Sequence, residues 1–168
     1  MDRKTRQIVH AAMIAALYVV LTHLQNIILP NSASMAIQCR LSETLCVLAF
    51  FTPAAIPGLT IGCLLFNITY AAALPLDFLA GTLATFLAAL GMWLTRRLTV
   101  KEVPVLGLLM PALTNAFLVG WELTVYIGGA FWMNALYVAI GELIVLLIPG
   151  SLLYLILKKQ HLASRMFG

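Results

Sequence analysis

Long apolar runs divided by three short basic clusters leave this chain few ways to fold. Nine of its ten lysines and arginines fall into those clusters: Arg3, Lys4 and Arg6; Arg96, Arg97 and Lys101; and Lys158, Lys159 and Arg165. The tenth, Arg40, stands close to Glu43. Four of the six acids, Glu43, Asp77, Glu122 and Glu142, lie inside or beside the apolar runs. Such a separation orients a chain in a bilayer, because lysine and arginine collect on the cytoplasmic side, and it marks where polar work is done.

Hydrophobic residues make up 62% of the chain and charged residues 10%, with a mean hydropathy of +1.02. That composition excludes an ordinary soluble domain. At about 20 residues to a spanning helix, the 168 residues hold about five or six crossings and leave no length for a soluble domain. ATP hydrolysis would then belong to a partner. The net charge of +4 is what basic cytoplasmic loops give and needs no nucleic acid. The first apolar run, about 7–29, is too long for a signal-peptide core and lacks a convincing cleavage site, so it reads as a helix. Cys39, Cys46 and Cys63 show no CxxC pattern and no paired histidine. His10 and His161 lie beside basic clusters, and His23 near the far end of the first helix. No metal site is expected.

Helix one ends at Pro30-Asn31-Ser32. From 41 to 74 the chain is apolar except for interruptions at Thr52-Pro53 and Ile56-Pro57-Gly58. Two prolines four apart, the second followed by glycine, favour a turn between two short helices over one kinked helix. Two crossings there bring all three basic clusters to one side, whereas one would leave Arg96, Arg97 and Lys101 outside. The expected fold is an all-α integral membrane protein, a single domain over 1–168. Its six transmembrane helices fall at about 7–29, 42–53, 57–73, 77–95, 105–127 and 133–157, with both termini cytoplasmic.

In that arrangement the links at 30–41, 74–76 and 128–132 face outside, placing Arg40, Glu43 and Asp77 at or near the outer surface. Glu122 and Glu142 sit roughly 8 Å and roughly 13 Å below the outer ends of their helices, at about 1.5 Å per residue. A charge near the centre of a membrane helix costs on the order of 2.5–3.5 kcal/mol, tolerable only against a polar cavity or a hydrogen-bond donor. In helix five, Asn115, Val119, Glu122 and Tyr126 follow an i, i+4, i+7, i+11 course, with Trp121 beside that face. In helix six, Asn134, Tyr137, Val138, Gly141 and Glu142 share a side, and Asn67 and Tyr70 mark a matching side of helix three. Tyr126, Phe131, Trp132 and Tyr137 gather at the outer link between helices five and six. The expected site is an outward-opening pocket with carboxylate and amide groups and aromatic walls. It suits a small, flat molecule rich in N–H donors.

Each element also has a plainer reading. Trp132 suits a membrane-boundary belt, Arg40 with Glu43 a surface ion pair, Asp77 a helix cap, and the three asparagines interhelical hydrogen bonds. Glu122 and Glu142 are hardest to read that way, because buried acids in membranes mark ligand or ion paths.

Small residues form a second pattern. Ala11, Ala12, Ala15 and Ala16 make two overlapping AxxxA repeats in the cytoplasmic half of helix one. Ala80, Ala84 and Ala88 repeat the habit in helix four, and Gly58 and Gly62 form a GxxxG in helix three. Such faces let another helix approach closely.

The chain resembles the substrate-binding S components of energy-coupling-factor (ECF) vitamin transporters, and more narrowly the QueT family of queuosine-precursor transporters. The stretches that carry the resemblance are Gln38-Cys39-Arg40-Leu41-Ser42-Glu43, the run from Phe51 to Cys63, and Asn67. Further on come Leu76-Asp77 with Gly81 to Thr85, Asn115-Ala116 through Glu122, and Gly141-Glu142. Together they cover nearly the whole chain, and 38–63 is far more specific than AxxxA.

The resemblance implies a bacterial plasma-membrane component that binds substrate outside, docks on a transmembrane T component and topples to release its cargo inside. Two cytoplasmic ATPases use ATP, and this chain binds no cofactor. Ala11, Ala12, Ala15 and Ala16 would be the docking face. The substrate would be queuine or a 7-deazaguanine such as 7-aminomethyl-7-deazaguanine. Its candidate contacts are Arg40, Glu43, Asn67, Asp77, Asn115, Trp121, Glu122, Trp132, Asn134, Tyr137 and Glu142. A related S component for another vitamin and a stand-alone proton-coupled carrier are the alternatives. An enzyme is not expected, for no Ser/His, HExxH or paired-aspartate pattern offers catalytic residues.

Overall fold

Inside a bilayer no water satisfies backbone N–H and C=O groups, so each apolar run must bond internally as a helix. A computed structural model describes residues 2–30, 40–70, 75–100, 103–159, 163 and 167, and the apolar runs among them are helical. Gln38, Cys39, Lys101, His161 and Arg165, singled out above, lie outside the described residues.

The order is α1 (Arg3–Ile28), a 3-10 helix (Leu41–Phe50), α2 (Ala55–Thr69), α3 (Asp77–Thr95), α4 (Val105–Tyr126) and α5 (Phe131–Val145). A π-helical turn (Leu146–Gly150) carries α5 onward into α6 (Ser151–Lys159). Taking that last run as one rod, the described residues form six helical rods, and their β content is one isolated Val100–Val103 bridge. Four rods, α1, α3, α4 and the α5–α6 run, are long and apolar enough to cross a membrane. Each α-helix from α1 to α5 packs on the next, and the 3-10 helix touches all of them and the α5–α6 run.

The second rod differs from the expected α-helix over 42–53. As a 3-10 helix rising about 2.0 Å per residue, its ten residues reach about 20 Å, where an α-helix would give about 15 Å. Runs of this length are uncommon because their hydrogen bonds are poorly aligned. Here Ser42, Glu43 and every residue from Leu45 to Phe50 are buried, so packing on several rods holds a backbone that local geometry disfavours.

The expected last helix, 133–157, is interrupted as well. Pro149 has no N–H to give and its ring crowds the preceding turn. The chain widens there, and the Ser151 hydroxyl donates to the Leu146 carbonyl at 3.3 Å. Between α4 and α5, Gly128 and Gly129 take φ of 86° and 85°, a left-handed pair that side chains would strain.

The small-residue patterns are used mainly inside the bundle. A β-carbon on Gly58 would lie 2.8 Å from the Ala11 carbonyl oxygen, and one on Gly62 would lie 2.9 Å from that of Ala15. The GxxxG of α2 therefore takes up one edge of the α1 alanines. This divides the four-alanine docking face: Ala15 is buried and Ala11 half-buried, while Ala12 and Ala16 stay exposed. On α3, Ala80, Ala84 and Ala88 are buried.

Candidate functional site

Glu43, Asp77, Glu122 and Glu142 are all buried within the protein, together with Arg40, Asn67 and Asn115. Arg40 pairs with Asp77 and not with its sequence neighbour Glu43: its guanidinium donates to Asp77 Oδ2 at 2.8 Å. Breaking such a buried pair by removing one partner costs about 3–5 kcal/mol. Asp77 is no helix cap, since Leu76 holds that position and the Asp77 side chain points to Arg40. Asn67 Nδ2 donates to the Asp77 carbonyl at 2.8 Å, joining α2 to the first turn of α3.

Glu43 is fully engaged. The Tyr18 hydroxyl donates to its Oε1 at 2.7 Å, Thr85 reaches the same oxygen at 3.3 Å, and the Cys46 thiol donates to Oε2 at 3.0 Å. Three rods thus meet on one carboxylate.

Glu122 is the opposite case. It is 0% exposed, and neither carboxylate oxygen has a partner among the described residues. Glu142 Oε2, Asp77 Oδ1 and Asn67 Oδ1 are also buried without partners among the described residues, as is the donor Asn115 Nδ2. The charged groups acting on Glu122 are Asp77 and Arg40, and those acting on Glu142 are Glu43 and Arg40. α3, α4, α5 and the 3-10 helix therefore deliver their acids to one region. A buried polar atom left unbonded costs about 1–3 kcal/mol, and among the described residues five acceptor atoms on Glu122, Glu142, Asp77 and Asn67 are in that state, with Asn115 Nδ2 as an amide donor.

The aromatic walls are not where the sequence reading puts them. Trp121 is 52% and Trp132 71% exposed on the outside of the bundle. Neighbouring residues on an α-helix point about 100° apart, so burying Glu122 turns Trp121 away. Trp132 joins Phe131 and Phe117 in an outer cluster, with ring centroids 4.9 Å and 6.3 Å from its own. Tyr126 is exposed and Tyr137 half-buried. Asn134 serves the α4–α5 turn, its Nδ2 donating to Thr124 Oγ1 and the Gly128 carbonyl at 3.0 Å each. Two grooves of about 580 and 620 Å³ run along α1, and none of the acids lines them.

The sequence profile of the QueT transporter family matches residues 8–159. The chain belongs to the QueT transporter family. Searches of curated proteins and of solved structures returned no match. The QueT match spans every residue of the buried polar region. It makes the chain a component of a membrane transporter, a multi-pass membrane protein with a small-molecule substrate.

In this QueT-family chain the sequence reading passed over one set of polar residues. Tyr18, Thr22 and Gln25 lie buried on one stripe of α1, against the start of the 3-10 helix. Their i, i+4, i+7 spacing was the available signal. It is easily hidden, because the alanines a turn earlier dominate the pattern of that helix.

Proposed function

We propose that this QueT-family chain is the S component of an ECF-type importer and binds a queuosine precursor, queuine or a 7-deazaguanine, from outside. The observation that carries the reading is Glu122, wholly buried in α4, with both carboxylate oxygens unbonded among the described residues and within electrostatic reach of Arg40 and Asp77. A guanine-like edge presents N1–H and an exocyclic amine, two donors that one carboxylate accepts together. Asn115 Nδ2 supplies the donor that a ring carbonyl needs. Glu142 is the second acid, suited to a cationic amine on the side arm of the base. With Trp121 and Trp132 facing outward, Tyr137 is the remaining candidate for stacking on the flat ring, a contact worth about 1–3 kcal/mol in nucleic-acid systems.

The exposed Ala12–Ala16 edge of α1 is the docking face for the T component, whose two cytoplasmic ATPases use the ATP. Both termini are cytoplasmic in the bacterial plasma membrane, since that orientation alone brings all three basic clusters inside.

Calorimetric titration of the detergent-purified protein tests the substrate. Tight, selective binding of queuine or 7-aminomethyl-7-deazaguanine is the expected result, with guanine and riboflavin as controls. A folded sample that binds neither deazaguanine would overturn the reading. Uptake into vesicles driven by a proton gradient without ATP would point to a stand-alone carrier instead.

A further inference from the structure

α1 is fastened to the start of the 3-10 helix in strict register. Gln25 Oε1 accepts from the Leu41 N–H, the Thr22 and Ser42 hydroxyls are bonded to each other, and the Tyr18 hydroxyl donates to Glu43 Oε1, each at 2.7 Å. Three successive residues of one rod thus meet three residues spaced along one stripe of the other. The Leu41 N–H is one of the backbone donors that a helix start leaves unbonded, and Gln25 satisfies it. On the opposite side, α3 holds the same stretch through the Arg40–Asp77 pair and through Thr85 on Glu43. Residues 40–43 are clamped between α1 and α3, against Asp77 and within electrostatic reach of Glu122 and Glu142.

We infer that Tyr18, Thr22 and Gln25 are positioning residues of the binding site. They meet no substrate atom; they fix the register in which Arg40 and Glu43 are presented to α3. The need for them comes from the rod itself. Ten residues of 3-10 helix carry poorly aligned backbone bonds, so an unfastened end would rewind or slide and take the Arg40 guanidinium off Asp77. α1 suits the task because its 26 residues contain neither glycine nor proline, which makes it a straight rule for the register.

The test uses Tyr18→Phe and Thr22→Val, which remove a hydroxyl at nearly constant shape, and Thr22→Ser, which keeps it. Two quantities are read on the detergent-purified full chain. One is affinity for 7-aminomethyl-7-deazaguanine, which rests on the substrate reading above. The other is hydrogen exchange at the backbone amides of 41–46 without ligand, which does not. Tyr18→Phe and Thr22→Val should each weaken binding about five- to tenfold, in line with the loss of one buried hydrogen bond to residues 41–43; the second bond of Thr22, to the Tyr18 carbonyl, lies within α1. Both should speed exchange at 41–46 while α1 and α4 keep their protection, and Thr22→Ser should restore affinity and exchange together. Wild-type affinity and exchange in Tyr18→Phe and Thr22→Val would overturn the inference. So would equal damage from Thr22→Val and Thr22→Ser, or a loss of protection spread over every helix. If the parent protein binds no deazaguanine, the substrate reading falls and exchange alone decides. Faster exchange confined to 41–46 then upholds the positioning role, and unchanged exchange refutes it.

Discussion

Gly81 lies one turn beyond Asp77 on α3, so close that a β-carbon on it would stand 2.6 Å from Asp77 Oδ1 and 3.0 Å from Asn67 Nδ2. The side-chain-free turn is what lets groups from α2, α3 and the 3-10 helix converge. Gly81→Ala should push Asp77 off Arg40 and lower ligand affinity at least about tenfold, or about 1.4 kcal/mol. Overpacking should cost about 1–3 kcal/mol of stability as well. Titration beside a thermal melt separates the two effects, and parental affinity in the variant would remove the ion pair from the site.

Glu122→Gln and Glu142→Gln preserve shape and remove charge. Each should weaken binding about ten- to hundredfold, since hydrogen bonds to charged groups contribute about 1.5–3 kcal/mol. The ligand-free fold should survive or gain slightly, because a buried amide is less costly to desolvate than an unpaired carboxylate. Calorimetry on both variants decides; unchanged affinity in both would place the ligand elsewhere.

The surplus of acceptors makes a prediction about ligand charge. A 7-deazaguanine bearing an aminomethyl arm brings a cation and extra N–H donors, whereas a 7-cyano arm brings only another acceptor. Competition titration should show the aminomethyl compound binding at least about tenfold more tightly, as expected when a nitrile leaves a buried carboxylate without a donor. Equal affinities would mean that the side arm lies outside the acidic region.

Two neighbouring alanine substitutions should behave differently. Ala12→Leu adds bulk on an exposed face, so ligand binding should persist while co-purification with the T component fails. Ala15→Leu drives bulk toward Gly62, where an added β-carbon already comes within 3.1 Å of the Ala15 Cα. Its effect should be a loss of stability of about 1–3 kcal/mol in the isolated chain. Normal assembly of the Ala12→Leu protein would sink the docking assignment.

Hydropathy and the charge clusters made the rods legible. The bounds of α3 fall at Asp77 and Thr95 as read, and α4 ends at Tyr126, one residue short of the reading. The winding of Leu41–Phe50 was not legible, because an unbroken apolar run carries no periodicity to separate a 3-10 from an α-helix. The face of Asn115, Val119, Glu122 and Tyr126 was legible from spacing; its first three residues are buried, while Tyr126 at the end of α4 is exposed. Trp121 and Trp132 were misplaced because aromatic residues suit a pocket wall and a lipid boundary equally well, and only the rotation of each helix separates the two. The exchange of Arg40 from Glu43 to Asp77 joins residues 37 positions apart, a distance at which local pattern carries no information.

The ten-residue 3-10 helix also stores length. Rewound at about 1.5 Å per residue, a rod that rises about 2.0 Å per residue shortens by about 5 Å while its backbone bonds change partner by a single position. Arg40 precedes its first residue, and its last residue, Phe50, lies beside Tyr154 of α6 at 5.7 Å between ring centroids. A modest change of pitch in this one element would draw the Arg40 cation toward the Phe50 end of the rod. The other five rods could stand still while it happened.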